Sequence, residues 1–227
     1  MKKIRVIFII TSILVVFLIC LFLNFNSPGE KRREFVSDFR NEYISEPAPS
    51  LPENQNNFFV QLAKAAEQRT TFSVTYDPSY VELDYPGGDV PPDKGVCTDV
   101  IIRSYRKLGI DLQVKVHEDM KNNFDVYPKI WGLKQPNPNI DHRRVPNLMV
   151  FFKRHGTVLP KSENPDDYAP GDIVTWNLFA GTTHIGIVST MKENSNKRYK
   201  VVHNIGSGPE LEDVLFNWEI TGHFRYR

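Results

Sequence analysis

An α+β fold with an antiparallel sheet is predicted by the order of patterns along this chain. Helical periodicity comes first, around residues 56–69 and 97–108, and strand alternation comes afterwards, from about 172 to the end. The length, 227 residues, fits one domain plus additional segments and is enough to bury a core. An apolar N-terminal run adds a transmembrane helix ahead of the domain. Lys+Arg 28 against Asp+Glu 27 leaves a net charge of +1, which gives no basic excess for nucleic acid.

The elements follow in order. Residues 1–24 read as a membrane anchor. From Val6 to Leu23 only Thr11, Ser12 and Cys20 interrupt the apolar run. Its length of about 18 residues reaches about 27 Å as a helix, close to the hydrocarbon thickness. No small-x-small site follows Leu23, so an uncleaved anchor is expected over a cleaved signal. Lys2, Lys3 and Arg5 hold the N-terminus in the cytoplasm and put the remainder on the far side of the membrane. Residues 25–55 are polar and proline-rich and read as a tether, with "EKRREFVSDFRNEYI" as a short helix inside it. The folded domain spans 56–227 and opens with the amphipathic "NNFFVQLAKAAEQR".

Val74 to Gly88 is aromatic and turn-rich. The stretch from Cys97 is a helix: Ile101, Tyr105 and Leu108 form its stripe, Arg103, Arg106 and Lys107 charge its end, and Gly109 caps it. Glu118 to Asn147 is read as a long excursion over the domain face. "DIVTWNL", "HIGIVST" and "RYKVVHNIG" are strands, and "GHFRYR" closes the sheet.

Two cysteines make no disulfide framework, and Cys20 lies in the apolar run. Cys97 is therefore the one thiol of the domain. On composition alone such a cysteine is a small core residue. At a helix start, unpaired N–H groups and the positive end of the macrodipole favour thiolate, and the pKa is expected below about 7.5. The same N–H groups would bind the oxyanion of an acyl transfer. Asp99 opposes the shift if it points at the sulfur. A base is needed, and His184 and His203 stand at opposite ends of two strand patterns. A hairpin centred between Glu193 and Asn194 would set His184 opposite His203 and Ser189 opposite Arg198. The result is a base oriented by a second ring.

The order of "YPGG", the Cys97 helix, "PGDIV", "HIGIV" and "VVHNIG" resembles the NlpC-type, papain-like cysteine peptidases that cut peptidoglycan amide bonds. In detail the chain resembles the bacterial family called domain of unknown function 1287, from Tyr76 to Arg227. The resemblance implies a papain-like fold in which the nucleophile helix packs on the antiparallel sheet. It further implies Cys97 as nucleophile, His184 as base and His203 as orienter, with Tyr85 lining the site. Asp172 in "PGDIV" is read as a structural turn-capper. Val96-Cys97-Thr98-Asp99 stands where these peptidases usually carry Asp-Cys-Ser-Gly, so the substrate is open. Asp99, His142 and Arg143 join the candidate substrate contacts, Arg143 as a clamp for a murein carboxylate and Arg144 as a loop anchor.

The expected activity is a cysteine amidase or endopeptidase on peptidoglycan peptides at the outer side of the cytoplasmic membrane, with no cofactor and no nucleic-acid partner. Three rivals stand beside it: a non-catalytic envelope module that binds cell-wall peptide, a thiol acyltransferase, and a zinc site of Cys97, His184 and His203.

Overall fold

The computed structural model describes residues 53–227. The apolar run, most of the tether and its short helix lie outside the described residues. Within them no helix is long and apolar enough to cross a membrane. The first helix, α1 (Glu53–Arg69), starts three residues inside the expected tether. It is followed by β1 (Thr75–Tyr76), β2 (Lys94–Gly95), α2 (Cys97–Lys107), α3 (Leu112–Asn122) and α4 (Val145–His155). The strands β3 (Thr157–Val158), β4 (Ile173–Asn177), β5 (Thr183–Lys192), β6 (Tyr199–His203), β7 (Glu210–Glu212) and β8 (Glu219–Arg225) come last. β1 and β2 make a small parallel pair, while the six later strands form one antiparallel sheet in the order β3-β8-β4-β5-β6-β7. The α+β class with an antiparallel sheet is therefore as the order of patterns predicts.

Strand alternation sends the side chains of the central strands to two cores. Leu62 of α1, Ile101 and Tyr105 of α2, and Leu148 and Phe152 of α4 pack with Ile173, Ile185, Ile187, Val202 and Phe224 on the helix side. Val174, Trp176, Val188 and Val201 form a second cluster on the other side with Tyr168, Val214 and Leu215. Covered on both faces, β4 is buried at Ile173, Val174, Thr175 and Trp176. Each fully buried large apolar side chain contributes about 1.5–3 kcal/mol.

α2 ends as its sequence dictates. Leu108 and Gly109 N–H groups close back on Tyr105 and Arg106 carbonyls, and Gly109 takes φ +78°, the left-handed value that glycine adopts without cost. α4 departs from the expected excursion. All residues from Val145 to Phe152 are buried and the basic side chains Lys153, Arg154 and His155 are confined to the last turn, while Pro146 in the first turn reads in sequence as a loop residue. α3 likewise occupies residues that include the start of that excursion, with Asp111 capping it by accepting from the Gln113 N–H at 2.9 Å.

Candidate functional site

Cys97 is the first residue of α2 and only 6% exposed. The helix start is fastened by Asp99, whose carboxylate accepts the Val96 N–H at 2.7 Å. The same carboxylate takes Nε and Nη2 of Arg143, both at 2.9 Å, in a buried bidentate pair. Thr98 adds a hydrogen bond to the Arg143 carbonyl at 3.2 Å. These bonds join α2 to the short 3-10 turn Asp141–Arg143 that precedes α4. A cleft of about 230 Å³ lies beside them, lined among others by Tyr76, Cys97, Trp131, Arg143, Arg144 and Thr183.

On the other side of the thiol is β5. The Ile185 N–H hydrogen-bonds the sulfur, and Thr183 lines the cleft. His184, between them, turns toward Trp176 and Trp218, with ring centroids 5.9 and 6.0 Å away. Its Nε2 lies 2.9 Å from His203 Nδ1, and His203 Nε2 lies 3.0 Å from Glu212 Oε2. His184 Nδ1 carries no hydrogen bond among the described residues.

The two histidines meet through a different register from the expected one. β5 and β6 pair Ile187 with Val202 and Val188 with Val201, and a bulge precedes the pairing of Lys192 with Tyr199. The hairpin turn contains Lys197 at φ +59° and closes with the Glu193 N–H on the Arg198 carbonyl. The register is thus two residues away from one that sets His184 directly across from His203. A two-residue slip keeps every side chain on its face, so the rings still meet, now on a diagonal. Continuing the observed register puts His203 across from Gly186. A Cβ at Gly186 would stand 2.7 Å from Val201 Cγ1 and 3.2 Å from His203 Cβ, so glycine leaves room for that approach.

The protonation state of the thiol differs from the expectation. Burial pushes the Cys97 thiol up to about 12, and the charge of Asp99 adds to it. N–H groups of Ile185, Thr98 and Cys97 itself pull the other way without offsetting the loss of solvent. The expected resting thiolate is therefore corrected to a neutral thiol. Burial, with the neighbouring His203, holds His184 down at about 3, so the base is a neutral imidazole at pH 7. No hydrogen bond joins Cys97 to His184 among the described residues.

The remaining candidates are scattered. Tyr85 is 40% exposed and donates to Glu118 Oε1 at 2.7 Å, with its ring 5.2 Å from His117. The tyrosine that shares the cleft with Cys97 is Tyr76, whose phenol is raised by burial and by the nearby Cys97 and Asp99. His142 is 1% exposed, its Nδ1 is buried without a partner, and burial lowers it to about 3; it does not reach the cleft as a substrate contact. Asp99 is spent on Val96 and Arg143, which corrects its assignment as a substrate contact. Arg143 lines the cleft with its guanidinium neutralised by Asp99, whereas Arg144 lines it over the Trp131 ring at 4.1 Å. Asp172 is the turn-capper expected, accepting the Ala169 N–H at 2.9 Å. No group of three or more His, Cys, Asp or Glu among the described residues is placed to hold a metal ion, which leaves the zinc rival without a ligand set. Glu212, Trp218 and Tyr76 were missed. The alternating Glu210-Leu211-Glu212 carries a strand signal that would have found β7, while Trp218 sits in a segment without periodicity.

A family model described as Domain of unknown function (DUF1287) matches residues 63–226. The chain belongs to this family. The DUF1287 chain is 50% identical over 193 residues to the uncharacterized protein YijF of Escherichia coli (strain K12), covering 84% of this chain and 94% of that one. It is also similar to the solved structure of NlpC1 from Trichomonas vaginalis, with a TM-score of 0.40 and 15% identity over 82% of this chain. That overlap spans about half of the other protein, 48% of its chain. A likeness at that level assigns no activity to the DUF1287 domain.

Proposed function

We propose that the DUF1287 domain is a cysteine hydrolase that cleaves amide bonds in peptidoglycan peptides, working at the outer face of the cytoplasmic membrane. One observation carries the reading. A helix-start thiol faces a cleft and the Ile185 N–H, while the adjoining His184 is tied through Nε2 to His203 and keeps Nδ1 for a proton. The peptide substrate and the envelope location come from the motif resemblance and from the N-terminal apolar run.

Both partners start neutral, so attack and proton transfer go together rather than from a preformed ion pair. Substrate entry has to bring Sγ and the imidazole into contact. Sγ bonds to the amide carbonyl carbon as the S–H proton passes to His184 Nδ1, and the carbonyl electron pair moves onto oxygen near the Cys97 N–H. The C–N bond then breaks, and the amine leaves with the proton from His184. Water attacks the thioester, His184 takes its proton, and the thiol is restored as the acid departs. His203 holds the ring throughout.

The test is incubation of the full chain with a muropeptide mixture, followed by chromatography and mass spectrometry. New amine and carboxyl termini that vanish in Cys97→Ala support the reading. Products unchanged in Cys97→Ala would sink it. The second reading, a peptide-binding module of the same fold, is favoured by the buried, high-pKa thiol. Saturable muropeptide binding without turnover, equal in Cys97→Ala, would establish it. An acyltransferase would instead join the acyl group to an added amine in preference to water.

A further inference from the structure

We propose that Glu212 is a positioning residue that fixes the tautomer of His184 by acting through His203. The proposal rests on the reading of His184 as the base. It follows from hydrogen-bond bookkeeping along one chain of atoms. An ionised carboxylate only accepts, so in the 3.0 Å contact with Glu212 the donor is His203 Nε2–H. A neutral imidazole has a single N–H, so His203 Nδ1 is then an acceptor. The 2.9 Å contact makes His184 Nε2 the donor. With its one proton on Nε2, His184 has a bare lone pair on Nδ1, the nitrogen left without a hydrogen bond. That is the form a general base needs.

The chain works only if His203 stays neutral. A doubly protonated His203 would donate from Nδ1, make His184 Nε2 the acceptor, and put the proton of His184 on Nδ1. Burial holds His203 below the ordinary histidine value, outweighing the opposite pull of Glu212 and Glu210. His203 is fully buried while the Glu212 side chain is 44% exposed on the edge strand β7. The carboxylate therefore stays in contact with solvent while directing a buried pair of rings. Glu212 also stands across from Val201 in the β6–β7 register, so its reach to His203 is a diagonal one, like that of His203 to His184.

The experiment is two-bond ¹H–¹⁵N correlation on the full chain labelled with ¹⁵N-histidine, in wild type, Glu212→Ala and Glu212→Gln. Wild type is expected to show bare Nδ1 and protonated Nε2 on both His184 and His203. Glu212→Ala is expected to give mixed tautomers on both rings while the pattern of His223 stays put. On a cleaved peptide, kcat should fall about 10–100-fold at unchanged KM, the range for partners that orient a ring without touching substrate. A proton on His184 Nδ1 in wild type, or identical ring patterns in Glu212→Ala, would overturn the proposal. The tautomer readout needs no turnover. A wild type inert toward every peptide would therefore sink the hydrolase reading and still leave the role of Glu212 decided.

Discussion

Two histidine–carboxylate networks sit in the same sheet, on strands that flank β4, and they end differently. Around His223 on β8 the polar atoms are spoken for. Nδ1 donates to the Pro160 carbonyl at 2.8 Å, Nε2 contacts Asp172 Oδ2 at 2.8 Å, and the ring stacks on Tyr168 at 4.3 Å. Asp172 is closed in turn by the Ala169 N–H and by Arg225. Around His184 the chain of bonds runs outward to an exposed carboxylate and stops at Nδ1, beside the strand segment that touches Cys97. A network that satisfies itself can only fasten; one with an unspent nitrogen has a proton acceptor to offer. Residue types alone do not separate them, since each has a histidine and a carboxylate.

The contrast is broken most sharply by mutation on either side. His184→Ala should lower kcat by about 10²–10⁴-fold, the contribution of a positioned base, while the midpoint of denaturant unfolding falls by less than in Asp172→Ala, since a single buried hydrogen bond to His203 is lost. Asp172→Ala should do the reverse. Removing one partner of a buried, hydrogen-bonded cluster costs about 3–5 kcal/mol, read as a lower midpoint in urea. Should His184→Ala prove the destabilising variant and Asp172→Ala the inactive one, the two roles are reversed.

Acid titration gives a smaller effect. The folded values of His184 and His142 are both about 3, below the ordinary 6.5. A base whose folded pKa is depressed contributes stability above its unfolded value and loses it as pH falls. Wild type should therefore weaken progressively from about pH 6.5 toward pH 3, and His184→Gln and His142→Gln should each flatten that slope in pH-dependent urea melts. A wild-type slope retained in both variants would contradict the burial of neutral rings.

Alkylation is the mildest probe. Iodoacetamide should modify Cys97 slowly at pH 7, with a rate that climbs well above pH 9, followed on the Cys97-containing peptide by mass spectrometry. A midpoint below about 7.5 would restore the resting thiolate that the helix start alone predicts.

What could be read from the sequence, and what could not, follows from how local each signal is. The thiol at a helix start is a local fact, and so is the face each strand histidine occupies. The pairing of His184 with His203 survived an incorrect register because the side-chain period is two. The register itself depended on a bulge and on Lys197 in the left-handed region, neither of which alternation encodes. The ionisation of Cys97 was misjudged because burial is a tertiary property that outweighs the helix end. Arg143 was misjudged as an open clamp for the same reason. Asp99, four residues beyond Gly95 in sequence but bound across the fold, consumes Arg143 and leaves Arg144 over Trp131 at the cleft. α4 escaped notice because Pro146 in its first turn reads as a loop residue and its first eight residues are buried whichever way they face.

The central claim is that Cys97 forms a covalent acyl intermediate. Turnover of a muropeptide by wild-type protein, quenched in acid within the first cycles and digested, tests it directly by mass spectrometry. The account predicts an acyl mass on the peptide that carries Cys97, released by hydroxylamine and absent from Cys97→Ala. Amide cleavage with no adduct, or with the adduct on another residue, would contradict it.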